Sequence, residues 1–405
     1  MATTDFVERA EQASLDNAGA KVSFVVVEHP VAGIGREKAM KKAEKAWPDI
    51  LKAATKWTPP AVDPKALKQQ DAYPAPTFTF KGTTQELNQM FIDKGWSEGI
   101  PVVPPTPEKV KAMLKGTTRQ PDEVVWIVPP RNGILTVEMV ATYAVMAGCK
   151  PAYMPVILGI LDGLKDPEFN WLAATTTTHP KAVLAMVNGP IAEEIGLASG
   201  SGAAGGMYQA NTSIGYAVSL ITDVVGDSKP QTNDKSVLGW SGNTISTVVA
   251  ENLEDSPWEP YSLQRGFSKD DNIVSVYCGG TPVNIPDHSS KDPNGVMQTF
   301  AEMLWGSYSG PDKGIPAAYD IVLLVAPELA QQISDAGYTK EQFQKWLFEN
   351  ARSPKGTPMV GSADHFSVFV TGGAGRHSQY WPTFNSTGDA TAGGIKIVKT
   401  VKIEK

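Results

Sequence analysis

Three of the five histidines stand in loops beside hydroxyl or glycine residues: His179 in TTTTHP, His288 in PDHSS and His377 in GAGRHSQ. An imidazole placed like this near a strand end suits general acid/base work or metal ligation, because its ordinary pKa lies near neutrality. No HExxH, HxH or CxxC accompanies them, so the pattern leaves a metal open without indicating one. For each histidine alone, a structural role competes; the three together point to catalysis.

A second group of residues has the chemistry of binding. From Ser199 to Gly206 the chain contains only Ser, Gly and Ala, and an apolar helical pattern follows it. A loop with so little side chain lets backbone N–H groups approach a ligand, and a helix start behind it adds a positive dipole end. Ser199, Gly200, Ser201 and Gly202 are therefore expected to cradle a carboxylate, with Asn211 adding a side-chain contact; close packing of loop and helix is the competing reading. Residues 200 to 205 match GxGxxG, but no acidic residue follows on a strand and no Gly-Lys-Ser/Thr is present, so no nucleotide cofactor is expected. In AENLEDSPWEP, Glu251 and Asn252 are candidate polar contacts. Arg131 and Arg376 are candidate carboxylate clamps, since guanidinium binds in a bidentate way. Gly373 and Ser378 join the list from the TGGAGRHS loop, which follows a strand where α/β proteins collect ligands. Cys149 and Cys278 read as buried small thiols; Cys278, before Gly279 and Gly280, is the better nucleophile of the two.

The elements that must position these residues read as α/β with mixed sheets, flanking helices and a loop-rich centre. The run KVSFVVVEHP reads as a buried strand and GREKAMKKAEKAWPDILKAATKW as a helix, together a partial α/β fragment over residues 1–56 that cannot bury itself. A Pro-rich linker follows over 57–82. The main α/β domain spans 83–310, with Thr106 capping a helix that opens on Pro107. Within it EVVWIVPPRNG is a strand, LTVEMVATYAVMAGC and AYMPVILGILDGL are apolar helices, and residues 171–178 and 182–187 are β-rich runs flanking His179. NIVSVYCGG is a further strand. The portion 311–405 repeats strand–helix grammar in YDIVLLVAPELAQQISDAG and HFSVFVTGG, and ends on an edge strand guarded by lysines. No repeat at a fixed period is visible.

The 405 residues are 41% hydrophobic and 20% charged, which is globular composition and excludes disorder and collagen-like repeats. A net charge of −7 speaks against nucleic acid as partner. The N-terminus has no signal-peptide core and no run of eighteen apolar residues occurs, so no membrane partner and a cytoplasmic location are expected. Two cysteines exclude a disulfide framework and a Cys-rich zinc site.

The blocks GIPVVPPTPEKVKAML, VPPRNG, VMAGCKPAYMPV, TTTTHP, VNGPIAEEIGLASGSGAAG, ANTSIGYA, AENLEDSPWEP and VNIPDHSS, in that order, resemble the large C-terminal region of the UGSC family of (seleno)proteins. The resemblance spans roughly residues 85 to 290 and extends more loosely to GGAGRHSQ. That family is named for a Sec or Cys followed by Gly-Ser-Cys in a small N-terminal α/β domain, so the resemblance implies thiol or selenol chemistry. Here Cys-Gly-Ser-Cys is missing, yet FVVVEHPVAGIGREKAMKKAEKAW resembles the tail of that domain. The expectation is a split enzyme: this chain as the large subunit of a hetero-oligomer acting on a small anionic organic substrate, with a small thiol-bearing protein subunit docking on residues 22–55. The reaction would be an oxidoreduction or a carbon–heteroatom lyase step. Two alternatives stay open: a self-sufficient hydrolase, hydratase or lyase using the histidines, with or without a metal, and a non-catalytic binding or scaffold subunit.

Overall fold

The computed structural model describes residues 2–4, 7–8, 10–11, 14, 24–31, 34–58, 73–230, 232–306, 320–382 and 399–404. The chain divides into two units, Met1–Asp71 and Ala72–Lys405. The segments 59–72, 307–319 and 383–398, which hold much of the expected linker and parts of the C-terminal portion, lie outside the described residues.

In the first unit, β1 (Ala2–Thr3) pairs in parallel with β2 (Val26–Val27). The strand expected to be buried over KVSFVVVEHP is thus only two residues long where described, and Val26 is 48% exposed. A two-residue ladder has no sheet face on which an apolar run can be buried. Helix Arg36–Lys56 starts after Gly35 and runs through Pro48. Its Lys42 ammonium donates to the carbonyls of Glu28 (2.9 Å) and Pro30 (3.0 Å), and Ala46 is its one buried residue. Met40, Trp47 and Leu51, which fall at helical spacing, are exposed, as is Trp57 just beyond.

The second unit is α/β, as its sequence grammar requires. It opens with helices Thr84–Asp93 and Pro107–Met113 and the antiparallel hairpin of β3 (Val124–Val128) and β4 (Gly133–Thr136). The expected long apolar helix from Leu135 begins only at Val137, because Thr136 ends β4 and its hydroxyl accepts from Met139 N–H (3.3 Å).

Two four-stranded mixed sheets follow. The first has the order β12 (Lys399–Lys402), β7 (Ile273–Gly279), β5 (Ala182–Asn188), β6 (Thr247–Ala250). The second has the order β8 (Val283–Pro286), β11 (His377–Pro382), β9 (Ile321–Val325), β10 (Phe366–Val370). Side-chain alternation sorts the core into layers. Val183, Ala185 and Val187 of β5 pack with helices Val137–Met146, Met154–Leu164 and Gln209–Leu220. Leu184 and Met186 point the other way and meet Val322 and Leu324 of β9, with Tyr277, Phe369 and Trp381. Ile321, Leu323 and Val325 face helices Pro293–Gly306, Pro327–Asp335 and Lys340–Asn350. The layers are therefore helix, sheet, sheet, helix. Strands β5, β7, β9 and β10 are buried along their whole length on both faces, which is why they read as nearly unbroken apolar runs.

The two sheets share one topology. Each has a parallel pair (β5 with β6, β9 with β10), an antiparallel neighbour (β7, β11) and an outer strand antiparallel to that neighbour (β12, β8). The outer strands are exchanged: β8 follows β7 in the chain but pairs with β11, and β12 follows β11 but pairs with β7. The portions 83–310 and 311–405 are joined by this exchange within one unit.

One expected element differs in kind. Residues 171–178 form no strand; Trp171–Thr175 is a short helix started by Asn170, whose side chain accepts from Ala173 N–H (3.4 Å). The cap outweighs the β-propensity of the threonines, of which only Thr175 is helical.

Close approach of helix Gln209–Leu220 to the chain entering β6 depends on Gly215, where a Cβ would fall 2.0 Å from the carbonyl oxygen of Ser246. Gly215→Ala must push the helix outward, and a loss of about 1–3 kcal/mol in urea unfolding is expected. An unchanged midpoint would mean that this contact relaxes freely.

Candidate functional site

The loops at the carboxyl ends of β6 and β10 interlock. Each crosses over the end of a central strand, β5 or β9, to reach the antiparallel strand beyond. Asn252 N–H donates to Val370 O (2.8 Å), while the Thr371 hydroxyl donates to both Ser199 O (2.9 Å) and Ala250 O (3.0 Å). Gly372 N–H also donates to Ser199 O (2.8 Å). The Ser/Gly loop is thereby stapled to the loop Thr371–Arg376. At Gly373 the contact is close enough that a Cβ would lie 2.9 Å from Ser201 Cβ.

Several residues expected to touch a substrate instead hold this rim. Asn211 is buried; its Oδ1 accepts from Ala198 N–H (2.9 Å) and its Nδ2 donates to the carbonyls of Ala198 and Ala203. Asn252 donates from Nδ2 to Asp255 Oδ2 (2.9 Å) and Gly372 O (3.2 Å). Ser378 is buried and its hydroxyl accepts from Ala326 N–H. Arg376 is no free clamp, since its guanidinium donates to the carbonyl and carboxylate of Asp287 and to Ser290 O. Burial of Asp287 works to raise its pKa, but hydrogen bonds from Ser290 and Arg376 outweigh it and hold the carboxyl below its ordinary value. Glu251 lies beneath, its side chain 0% exposed and paired with Lys340 (3.1 Å), which is 3% exposed. Its other oxygen accepts from Asn188 Nδ2 (2.6 Å) and Tyr261 N–H (2.8 Å).

What remains open at the rim is backbone. Among the described residues the N–H groups of Gly200, Ser201 and Gly202 have no acceptor, and a Cβ at Gly200 or Gly202 meets nothing within 4 Å. Helix Gln209–Leu220 follows this loop in the chain, and Asn211 in its first turn bonds back to Ala198 and Ala203. An anionic group is the ligand chemistry that such amides favour.

The histidines do not form one cluster. His288 and His377 are neighbours, with ring centroids 4.7 Å apart at 69°, and both are exposed. His377 Nδ1 lies 3.2 Å from Asn284 Oδ1. His179 is elsewhere: a Cβ on Gly280 would meet its ring at 2.3 Å, and Gly280 N–H donates to Pro382 O at the far end of β11. At ~3.3 Å per residue, β11 separates Pro382 from His377 by roughly 17 Å. Burial lowers the pKa of His179, which favours the neutral ring. Arg131 is also remote from the rim. Its N–H donates to Gly226 O, beyond the π-helical turn Ile221–Val225 that continues helix Gln209–Leu220, roughly 24 Å from that helix's start at 1.5 Å per residue.

The sequence reading overlooked a buried charged group at this other end. Lys181 Nζ donates to Asp223 Oδ1 (2.8 Å), and Thr222 donates to the same oxygen. Burial together with the Asp223 carboxylate pushes Glu98 up to about 10, so Glu98 is a neutral acid at pH 7. Burial also pushes both thiols, Cys149 and Cys278, up to about 12. Neither is a thiolate at neutral pH, and the preference for Cys278 as a nucleophile gains nothing. Residue type alone hid the roles of Thr371, Asn284 and Lys340, because each depends on partners far away in the chain.

A scan against protein-family models gives no match for this chain, and a search of curated proteins gives none. No helix among the described residues is long and apolar enough to cross a membrane.

Proposed function

We propose that this chain is the large, substrate-holding subunit of a heteromeric enzyme whose thiol or selenol group is supplied by a small partner subunit. The observation that carries this reading is the exposed apolar flank of helix Arg36–Lys56, in a unit whose described residues form only a two-residue ladder beside it. Exposed Trp and Leu at helical spacing are the usual signature of a surface that another protein covers. The chain's own thiols are held protonated by burial, which favours a thiolate from elsewhere. The resemblance to the UGSC family points the same way, since that family's reactive motif is the part missing here. In this reading the open amides of Gly200–Gly202 hold the anionic end of a small organic substrate, and His288 or His377 moves protons. The setting is cytoplasmic.

Tagged chain purified from its native host is expected to bring down a small protein with a paired Cys or Sec/Cys motif. Trp47→Asp combined with Leu51→Asp is expected to release that protein while leaving the fold of residues 72–405 intact by circular dichroism. A chain that is monodisperse and active by itself would sink the proposal.

A second reading is favoured by the His288–His377 pair itself: a self-sufficient, histidine-dependent hydrolase, hydratase or lyase. Activity of the isolated chain, lost in His377→Ala, is the outcome that selects it.

A further inference from the structure

The geometry points to a transition-metal site at His288 and His377, taking Zn2+ or another divalent ion of borderline softness with water in the remaining positions. Residue pairing explains why the two rings meet. In the antiparallel ladder His377 stands opposite Pro286 and Gln379 opposite Asn284. With a period of two, Asn284 shares a face with His377, and His288 follows two residues beyond Pro286. The strand ends are locked together next to the histidines: Asp287 N–H donates to Arg376 O (3.0 Å), and the Arg376 guanidinium closes back on Asp287 and Ser290. His377 therefore emerges from the first residue of β11, and His288 from the bend that follows β8, braced on either side by the contacts of Asp287 and Ser290 with Arg376.

The separation fits one shared ion. Two imidazoles on a tetrahedral zinc, with metal–nitrogen bonds of ~2.0–2.1 Å, have ring centres about 5 Å apart; here they are 4.7 Å apart. The orientation of His377 is fixed as well. With Nδ1 3.2 Å from Asn284 Oδ1, the tautomer that carries its proton on Nδ1 would leave the Nε2 lone pair for a metal. A hydrogen bond from the far nitrogen to a fixed acceptor is how metal-binding histidines are oriented. Among the described residues no group of three or more His, Cys, Asp or Glu gathers to hold an ion. The ion here has two protein ligands and open positions, which suits exchangeable binding and direct contact with a substrate oxygen or sulfur.

This site deepens the histidine-dependent reading, and its test does not depend on turnover. Untagged full-length chain is titrated with ZnCl2 by calorimetry. One ion per chain is expected at micromolar free zinc, with the site lost in His288→Ala and in His377→Ala and weakened by about 10–100-fold in Asn284→Ala. Both histidines are exposed, so thermal unfolding of the variants serves as the control that they fold. Failure to take up one ion, or equal uptake by the folded His288→Ala/His377→Ala double variant, overturns the proposal. Neither result would bear on whether the isolated chain is active.

Discussion

Replacing Lys340 by Met is expected to destabilise the second unit by about 3–5 kcal/mol, because it leaves Glu251 charged, buried and without its counter-ion. The side chains of the pair are 3% and 0% exposed, so no water reaches the orphaned carboxylate. The effect should extend to ligand binding. Glu251 precedes Asn252, which holds the carbonyl of Gly372, so a shift at Glu251 displaces the rim where Gly200 to Gly202 present their amides. Chemical denaturation measures the first effect. Adding Glu251→Gln to Lys340→Met removes the buried charge and should recover much of the loss. A single variant as stable as wild type would show that the buried pair contributes no net stability.

Glu98 governs the second large effect, which appears as a pH dependence. The folded protein holds this proton up to about pH 10, whereas the ordinary value is 4.5. The unfolded chain thus loses the proton first as pH rises. The associated stability is complete below about pH 4.5 and falls through the neutral range toward pH 10, by about 1 kcal/mol per pH unit. Urea unfolding of wild type and Glu98→Gln side by side at pH 6 and pH 8 reads this slope as the difference between the two, since His179, whose lowered pKa acts with the opposite sign there, and the buried thiols are common to both. Glu98→Gln keeps a neutral donor toward Asp223 and is expected to flatten the slope and to raise stability at pH 8. An unchanged slope in the variant would assign the pH dependence to other groups.

Much of the fold was legible in the sequence. The strands β5, β7 and β9, and the helices that cover them, follow from apolar runs and helical spacing. Strand pairing was less accessible, because β8 and β12 are four residues each and carry no mark of the sheet they join. The candidate site shows the same limit. The Ser/Gly loop and the TGGAGRHS loop were recognisable as segments poor in side chains; that the two are hydrogen-bonded to each other was not. A polar residue beside them does not reveal whether it faces a ligand or the chain, and Asn211, Asn252, Ser378 and Arg376 face the chain. His179 shares its local context with His288 and His377, but the length of β11 separates it from them.

The exchanged outer strands bear on synthesis of the protein. The edge of β7 waits for β12, which lies about 120 residues further along. At ~5–20 residues per second, a ribosome leaves that edge unpaired for roughly 6–24 s. An unpaired strand edge is a template for other chains, so the nascent protein carries an aggregation hazard throughout this interval.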